Sequence, residues 1–187
     1  MPRPNWFFGF PLDGTFVLGL PDVPTSIRLY HPEDVHMTLA FLGGCGEEAA
    51  RRALGVLDEK LAALRPAGFD ATLGDVVPMG GSRRTYSALS ALLEKGRAEA
   101  VDVLTLLRDE LTDAATGRRD ARPPKPHVTI ARPRRRATDI DRQAGLAWAE
   151  RLELHAVPAR IDRIALYTWT EVRRERLFQI VEERRLG

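Results

Sequence analysis

Two short segments repeat the pattern His-apolar-Thr-apolar: His36 to Leu39 and His127 to Ile130. They stand 91 residues apart, close to half of the 187-residue chain. On an extended strand, residues i and i+2 project from the same face. Each segment therefore presents a histidine and a threonine together and sends its apolar pair the other way, into a core. The echo at half-chain spacing predicts two related lobes. A pseudo-twofold arrangement of those lobes brings His36, Thr38, His127 and Thr129 into one cleft.

The surrounding sequence predicts an α+β fold with mostly antiparallel strands, because strands and helices are intermixed without βαβ alternation. Aromatic and apolar Trp6 to Leu12 reads as a strand, with Trp6, Phe7, Phe8 and Phe10 divided between a core face and a second face that reaches the cleft. The N-terminal stretch Met1 to Phe10 has no long apolar run and leads into this strand; it does not read as a signal peptide. Residues 15–24 are punctuated by glycine and proline and stay ambiguous. Short strands are expected at Ile27 to Tyr30 and His36 to Leu42. Glu47 to Leu64 reads as a helix, with acids in its first turn, apolar residues at helical spacing and Pro66 beyond its end. Strands follow at Phe69 to Val77 and Thr85 to Leu93, then a helix from Ala98 to Ala115. The proline-rich stretch 122–126 leads into a strand from His127 to Ala131. A third helix from Asp139 to Glu150 and strands at Leu152 to Val157, Arg160 to Thr170 and Leu177 to Glu182 complete the chain.

Composition narrows the classes of function. A hydrophobic fraction of 44% and a charged fraction of 29% are ordinary globular values. No apolar run approaches the ~20 residues of a membrane span. The one cysteine, Cys45, forms neither an internal disulfide nor a cysteine-based zinc site, and a reducing cytoplasm fits it. It sits in a glycine loop and reads as an incidental thiol. The net charge is only +2, but just three of the 28 basic residues are lysine. Between Arg118 and Arg136, eight basic residues face a single acid, Asp120. That run is either a solvated charge segment or an electropositive rim for a phosphate-bearing ligand. His31 and His155 stand outside any motif and read as turn or surface residues.

Two histidines and two hydroxyls in one cleft suit phosphoester chemistry without a metal. A neutral imidazole removes a proton from the attacking oxygen, and an imidazolium protonates the leaving oxygen. Both protonation states are accessible near neutral pH, because the unperturbed pKa is about 6.5. The threonine hydroxyls donate to non-bridging phosphate oxygens, and Arg132 adds a bidentate clamp.

The segments His36 to Gly43 and Pro126 to Arg132 resemble the paired HxTx motifs of the 2H phosphoesterase superfamily. They are most similar to its bacterial and archaeal RNA 2′,3′-cyclic phosphodiesterases, also called 2′-5′ RNA ligases. The opening from Phe7 to Asp13, a helix after the first motif and the Leu166-Tyr167 strand extend the likeness over essentially the whole chain. The resemblance implies a single bilobal domain over residues 1–187, with two mainly antiparallel sheets, helices outside and a central cleft. It implies His36 as general acid to the ribose 3′ oxygen and His127 as general base to water. Thr38, Thr129 and Arg132 then bind phosphate oxygens, and Phe41 stacks on the nucleobase. It further implies no metal or cofactor, and as partner an RNA with a 2′,3′-cyclic phosphate end or a cyclic nucleotide. A monomer without membrane association is expected. Any ligase activity runs without ATP, as the reverse of bond cleavage. One departure is the short, proline-broken stretch from Leu12 to Ser26, where the family has a clear helix.

Overall fold

A computed structural model of the protein describes residues 3–187, so Met1 and Pro2 of the N-terminal stretch lie outside the described residues. Nine strands and three α-helices follow the order β1 (Trp6–Pro11), β2 (Ile27–Leu29), β3 (His36–Gly43), α1 (Glu47–Leu64), β4 (Phe69–Met79), β5 (Ala88–Lys95), α2 (Arg97–Thr116), β6 (His127–Pro133), α3 (Asp139–Ala149), β7 (Pro158–Ile161), β8 (Arg163–Trp169) and β9 (Phe178–Arg185). The ambiguous stretch after β1 forms only a 3-10 turn, Thr15–Gly19.

All strand pairs are antiparallel, in the order β7-β4-β5-β6-β3-β1-β8-β9, with β2 added to β6. The two expected sheets are the halves of one curled sheet. They meet where β3 pairs with β6 through Met37 and Val128 alone. The two histidine strands are therefore the innermost strands of the halves. Curling is forced by the connection between β7 and β8. These lie toward opposite ends of the order, yet only Asp162 separates them, and one residue spans at most ~3.6 Å.

Two expectations along the chain are corrected. Leu152 to Val157 is not a strand. It forms turns, closed by the Val157 amide donating to the Leu154 carbonyl at 2.9 Å. The apolar alternation there imitates a strand, but Leu154 is buried as a plug within the turn. The long strand expected from Arg160 to Thr170 is two strands, because Asp162 carries the chain from one half of the sheet to the other.

The core lies between the sheet and the helices. α1 and α2 pack against each other, joined at their polar edge by Lys60 donating to Glu110 at 2.6 Å, and α2 lies along β3. Helix ends follow local chemistry. Glu47 and Glu48 occupy the positive first turn of α1, Gly117 adopts φ 67° after α2, and Thr138 with Asp141 forms a capping box on α3. Trp148 of α3 is fully buried and donates its indole N–H to the Pro21 carbonyl at 3.1 Å. Among the described residues, no helix is long and apolar enough to cross a membrane.

Candidate active site

Met37 and Leu39 of β3, and Val128 and Ile130 of β6, are buried as the alternation requires. Strict alternation then puts the residue five places after each histidine into the core as well. The register shows why this does not happen. Phe8 pairs with Ala40 and Gly9 with Thr38, so Leu39 is left without an opposite residue. In the other half, Leu89 pairs with Ala131 and Ser90 with Thr129, leaving Ile130 unopposed. Such a bulge shifts the facing of every residue beyond it. Phe41 and Arg132 are thereby turned toward the cleft, where both line one cavity of about 290 Å³ with His36, Thr38 and Thr129. Phe41 is 57% exposed, unusual for a phenylalanine flanked by buried residues.

Each histidine is oriented by the residue two places before it. Nδ1 of His36 lies 2.7 Å from the Asp34 carbonyl, and Nδ1 of His127 lies 2.6 Å from the Lys125 carbonyl. A carbonyl only accepts, so in both rings Nδ1 carries the proton and Nε2 remains for chemistry.

The two rings differ in their surroundings. His36 is buried and boxed by aromatic rings, with centroids of Phe7, Tyr167 and Phe178 at 4.7, 5.2 and 5.5 Å. Burial pushes its pKa down to about 4, against a raising effect from the Asp34 carbonyl and with a smaller lowering one from His127. His36 is thus neutral at neutral pH. His127 is less buried and opens onto a neighbouring groove of about 470 Å³, which also takes in Thr38, Phe41, Arg122 and Lys125.

The threonines are supported differently. The hydroxyls of Thr129 and the fully buried Ser90 lie 3.0 Å apart. Thr38 faces Gly9 instead. A side chain at Gly9 would bring its Cβ to 3.0 Å from the Met37 carbonyl oxygen and 3.2 Å from Cδ2 of His36. This close approach favours glycine, since a Cβ would need the neighbours to give by a few tenths of an ångström, and it lets the His36 ring lie against β1.

Several cleft residues escaped the sequence reading. Asp34 is completely buried, and its carboxylate accepts from the amides of Leu177 and Phe178 at 2.8 to 3.0 Å. Tyr30, Trp169, Arg173 and Phe178 line the cavity, with the Arg173 guanidinium 3.9 Å over the Trp169 ring. Asp34 and Tyr30 stand just before the first motif but carry no pattern of their own, and Trp169, Arg173 and Phe178 lie far along the chain from either motif. Of the first strand, Phe7 faces the cleft, while Trp6, Phe8 and Phe10 belong to the main core.

The remaining candidates sit elsewhere. His31 caps a turn by accepting from the Glu33 amide at 3.2 Å, and the exposed His155 lies between Asp75 and Glu94 at 3.2 and 3.3 Å. Burial pushes the Cys45 thiol up, away from the reactive thiolate. The basic run divides: Arg122 pairs with Asp120 at 2.7 Å beside the groove of His127, whereas Arg132, Arg134 and Arg135 wall a separate cavity.

Solved structures share the fold over nearly their full length. E. coli LigT complexed with 3′-AMP superposes with a TM-score of 0.69 at 19% identity, covering 100% of this chain and 99% of that one. TT0787 of Thermus thermophilus gives 0.65 at 21% identity, with 97% of each chain covered. Usb1 of Kluyveromyces marxianus gives 0.55 at 14% identity, covering 98% of this chain and 97% of that one. No curated protein matches the sequence significantly. The model of the 2′-5′ RNA ligase superfamily matches residues 26–173, a span that holds both histidine strands and the segments joining them. With both motifs inside that match and the fold shared end to end, the chain belongs to the 2′-5′ RNA ligase superfamily, the 2H phosphoesterases.

Proposed function

We propose that the protein is an RNA 2′,3′-cyclic phosphodiesterase that opens the cyclic phosphate of an RNA 3′ end, or of a cyclic nucleotide, to a 2′-phosphate. The observation that carries this reading is the pair of imidazoles, each with Nδ1 tied to a backbone carbonyl, His36 lining a cavity with Thr38, Thr129 and Arg132 and His127 lining the adjoining groove with Thr38 and Arg122. His127 takes a proton from water as its oxygen attacks phosphorus. The bond from phosphorus to the ribose 3′ oxygen breaks, and His36 gives that oxygen a proton. Thr38, Thr129 and Arg132 hold the non-bridging oxygens, and Phe41 offers its exposed ring to the base.

An acid at position 36 must be protonated, while burial alone keeps the imidazole neutral. The substrate's own charge resolves this. A phosphate anion within hydrogen-bond reach favours the imidazolium, so His36 gains its proton as the phosphate enters. No metal or cofactor is required by this scheme, and one reduced, cytoplasmic chain suffices. E. coli LigT has been solved with 3′-AMP and with ATP, which supports a nucleotide ligand here.

The test is turnover of a nucleoside 2′,3′-cyclic phosphate in EDTA, with the product's phosphate position read by NMR. A 2′-phosphate is expected. No turnover, or turnover abolished by EDTA and restored by a divalent metal, overturns the proposal.

A second reading, cleavage of 2′-5′ phosphodiesters and its ATP-independent reversal, is favoured by one feature. Thr38 and Phe41 line both the cavity of His36 and the groove of His127. A phosphate at Thr38 then has room for a nucleoside on either side. Cleavage of a 2′-5′ dinucleotide, with the 3′-5′ isomer as control, tests it.

A further inference from the structure

Arg132 walls two cavities at once. On one side is the cavity of His36; on the other is a separate one of about 440 Å³, walled also by Arg28, Arg134, Arg135 and Arg142 together with Thr85, Tyr86 and Ser87. We propose that this second cavity is an anion site that binds the phosphate on the 5′ side of the reacting nucleotide, so that the protein reads two successive phosphates of one strand. The inference rests on the phosphodiesterase reading and specifies its substrate: a nucleotide carrying a 5′ phosphate, whether terminal or internal to RNA.

Charge makes the first part of the case. Five guanidiniums wall this cavity, and among the described residues no carboxylate does. Elsewhere many of the chain's guanidiniums pair with acids, as in Arg51 with Glu47, Arg160 with Asp70 and Arg184 with Asp58. Here like charges are gathered without that relief. The crowding is felt: Arg28 is held below the usual arginine range by burial and then by Arg132 and Arg134. A phosphate removes the repulsion and matches the planar fork bidentately.

Preorganisation makes the second. Arg28 donates to the Arg173 and Arg174 carbonyls at 2.8 and 3.2 Å, Arg134 to the Thr25 carbonyl at 2.8 Å, and Arg142 to the Tyr86 carbonyl. These bonds fix the guanidiniums and leave other N–H groups of each unused, since each carries five. The same Arg28 contacts hold the segment of Arg173, which lines the cavity of His36. The two sites are thus joined by Arg132 directly and by Arg28 through the backbone. Sharing one guanidinium places them as near neighbours, which fits phosphates one nucleotide apart.

The test compares four substrates: adenosine 2′,3′-cyclic phosphate, its 5′-phosphorylated form, a dinucleotide ending in the cyclic phosphate, and that dinucleotide with a neutral methylphosphonate linkage. The 5′ phosphate and the internal phosphodiester should each lower KM about tenfold or more, and the methylphosphonate should forfeit the gain. The gain should fall below about threefold in Arg134→Ala/Arg135→Ala. Among the described residues Arg135 makes no side-chain hydrogen bond or ion pair, so Arg135→Ala alone keeps the comparison valid if the double variant misfolds. A terminal phosphate without effect beside a productive internal one would restrict the site to RNA. A methylphosphonate that binds as well as the phosphodiester, or a gain that survives both variants, overturns the inference. If no substrate turns over, the phosphodiesterase reading fails by itself. Calorimetry of adenosine 2′-monophosphate against adenosine 2′,5′-bisphosphate then reads the second site without chemistry, and equal affinities overturn it.

Discussion

Phe41 and Arg132 are structural equivalents. Each stands five residues after its histidine, and each is turned into the cleft by an unopposed residue, Leu39 or Ile130, in the strand between. The two halves thus use one backbone device to present opposite chemistries: an apolar ring on one side and a cation on the other. Because Phe41 is largely exposed, its ring contributes little to the core. Phe41→Ala should leave the melting temperature within a degree or two and raise KM for a cyclic mononucleotide, reflecting a lost stacking interaction of ~1–3 kcal/mol. A cooperative loss of stability in that variant would place the ring in the core instead.

Both imidazoles are needed for proton transfer. His36→Ala and His127→Ala should each lower hydrolysis by about 10²-fold or more. Thr38→Ala and Thr129→Ala should cost less, ~1.5–3 kcal/mol for one hydrogen bond to a charged group. Steady-state kinetics on a nucleoside 2′,3′-cyclic phosphate measure all four. Near-normal turnover in either histidine variant would remove that residue from the mechanism.

Phosphate entry should draw a proton onto His36. Its pKa is pushed down to about 4 by burial, and an adjacent anion moves it upward. Binding of a nucleoside 2′-monophosphate near pH 6 should therefore take up protons, seen as a binding enthalpy that varies with the buffer's ionisation enthalpy. Uptake should fall in His36→Asn. Identical uptake in wild type and variant would place the proton elsewhere.

The same burial predicts acid sensitivity of the fold. Unfolded His36 titrates near 6.5 and the folded residue near 4, so between these values the unfolded chain binds more protons. Stability is unaffected above pH 6.5 and falls as the pH drops toward 4, by about 3 kcal/mol in total. Urea denaturation of wild type and His36→Gln across this window should show the smaller loss in the variant. Parallel curves would show that burial at position 36 does not set the acid limb.

Asp34 acts on both sides of the His36 ring. Its carbonyl accepts from Nδ1, and its carboxylate holds the amides of Leu177 and Phe178, whose ring packs edge-on against the imidazole at 5.5 Å. Asp34→Ala leaves two buried N–H groups without a partner, at ~1–3 kcal/mol each. It should lower the urea midpoint and kcat together. Asp34→Asn, which retains one acceptor oxygen, should recover part of both; no difference between the two variants would reduce Asp34 to a space-filling role.

The positions of His36, Thr38, His127 and Thr129 were legible because alternation on a strand is local, and the doubled pattern located the seam between the halves. Phe41 was singled out by resemblance and Arg132 by its charge near the second histidine, while alternation alone sends both inward; the bulges that overturn it are set by pairing with β1 and β5. Trp169, Arg173 and Phe178 join the site only through the crossing at Asp162 and the pairing of β8 with β1, which no local pattern encodes; Asp34 is a neighbour of His36 in sequence, but the amides its carboxylate holds, Leu177 and Phe178, come from the far end of the chain. The alternating apolar residues from Leu152 to Val157 misled because alternation does not by itself pair a segment with a neighbour: here the Val157 amide turns back to the Leu154 carbonyl instead.

Gly9 extends the site beyond its chemistry. It touches no substrate atom in the proposed reaction, yet the space it leaves empty is where the His36 ring rests. A methyl group there would crowd the Met37 carbonyl oxygen and the edge of the imidazole, at 3.0 and 3.2 Å. The aim of His36 is therefore written partly in a residue with no side chain on the adjacent strand. A survey of damaging substitutions would mark this glycine alongside the histidines. Transplanting the two motifs into another sheet would give a misdirected proton donor unless the neighbouring strand carried the same gap.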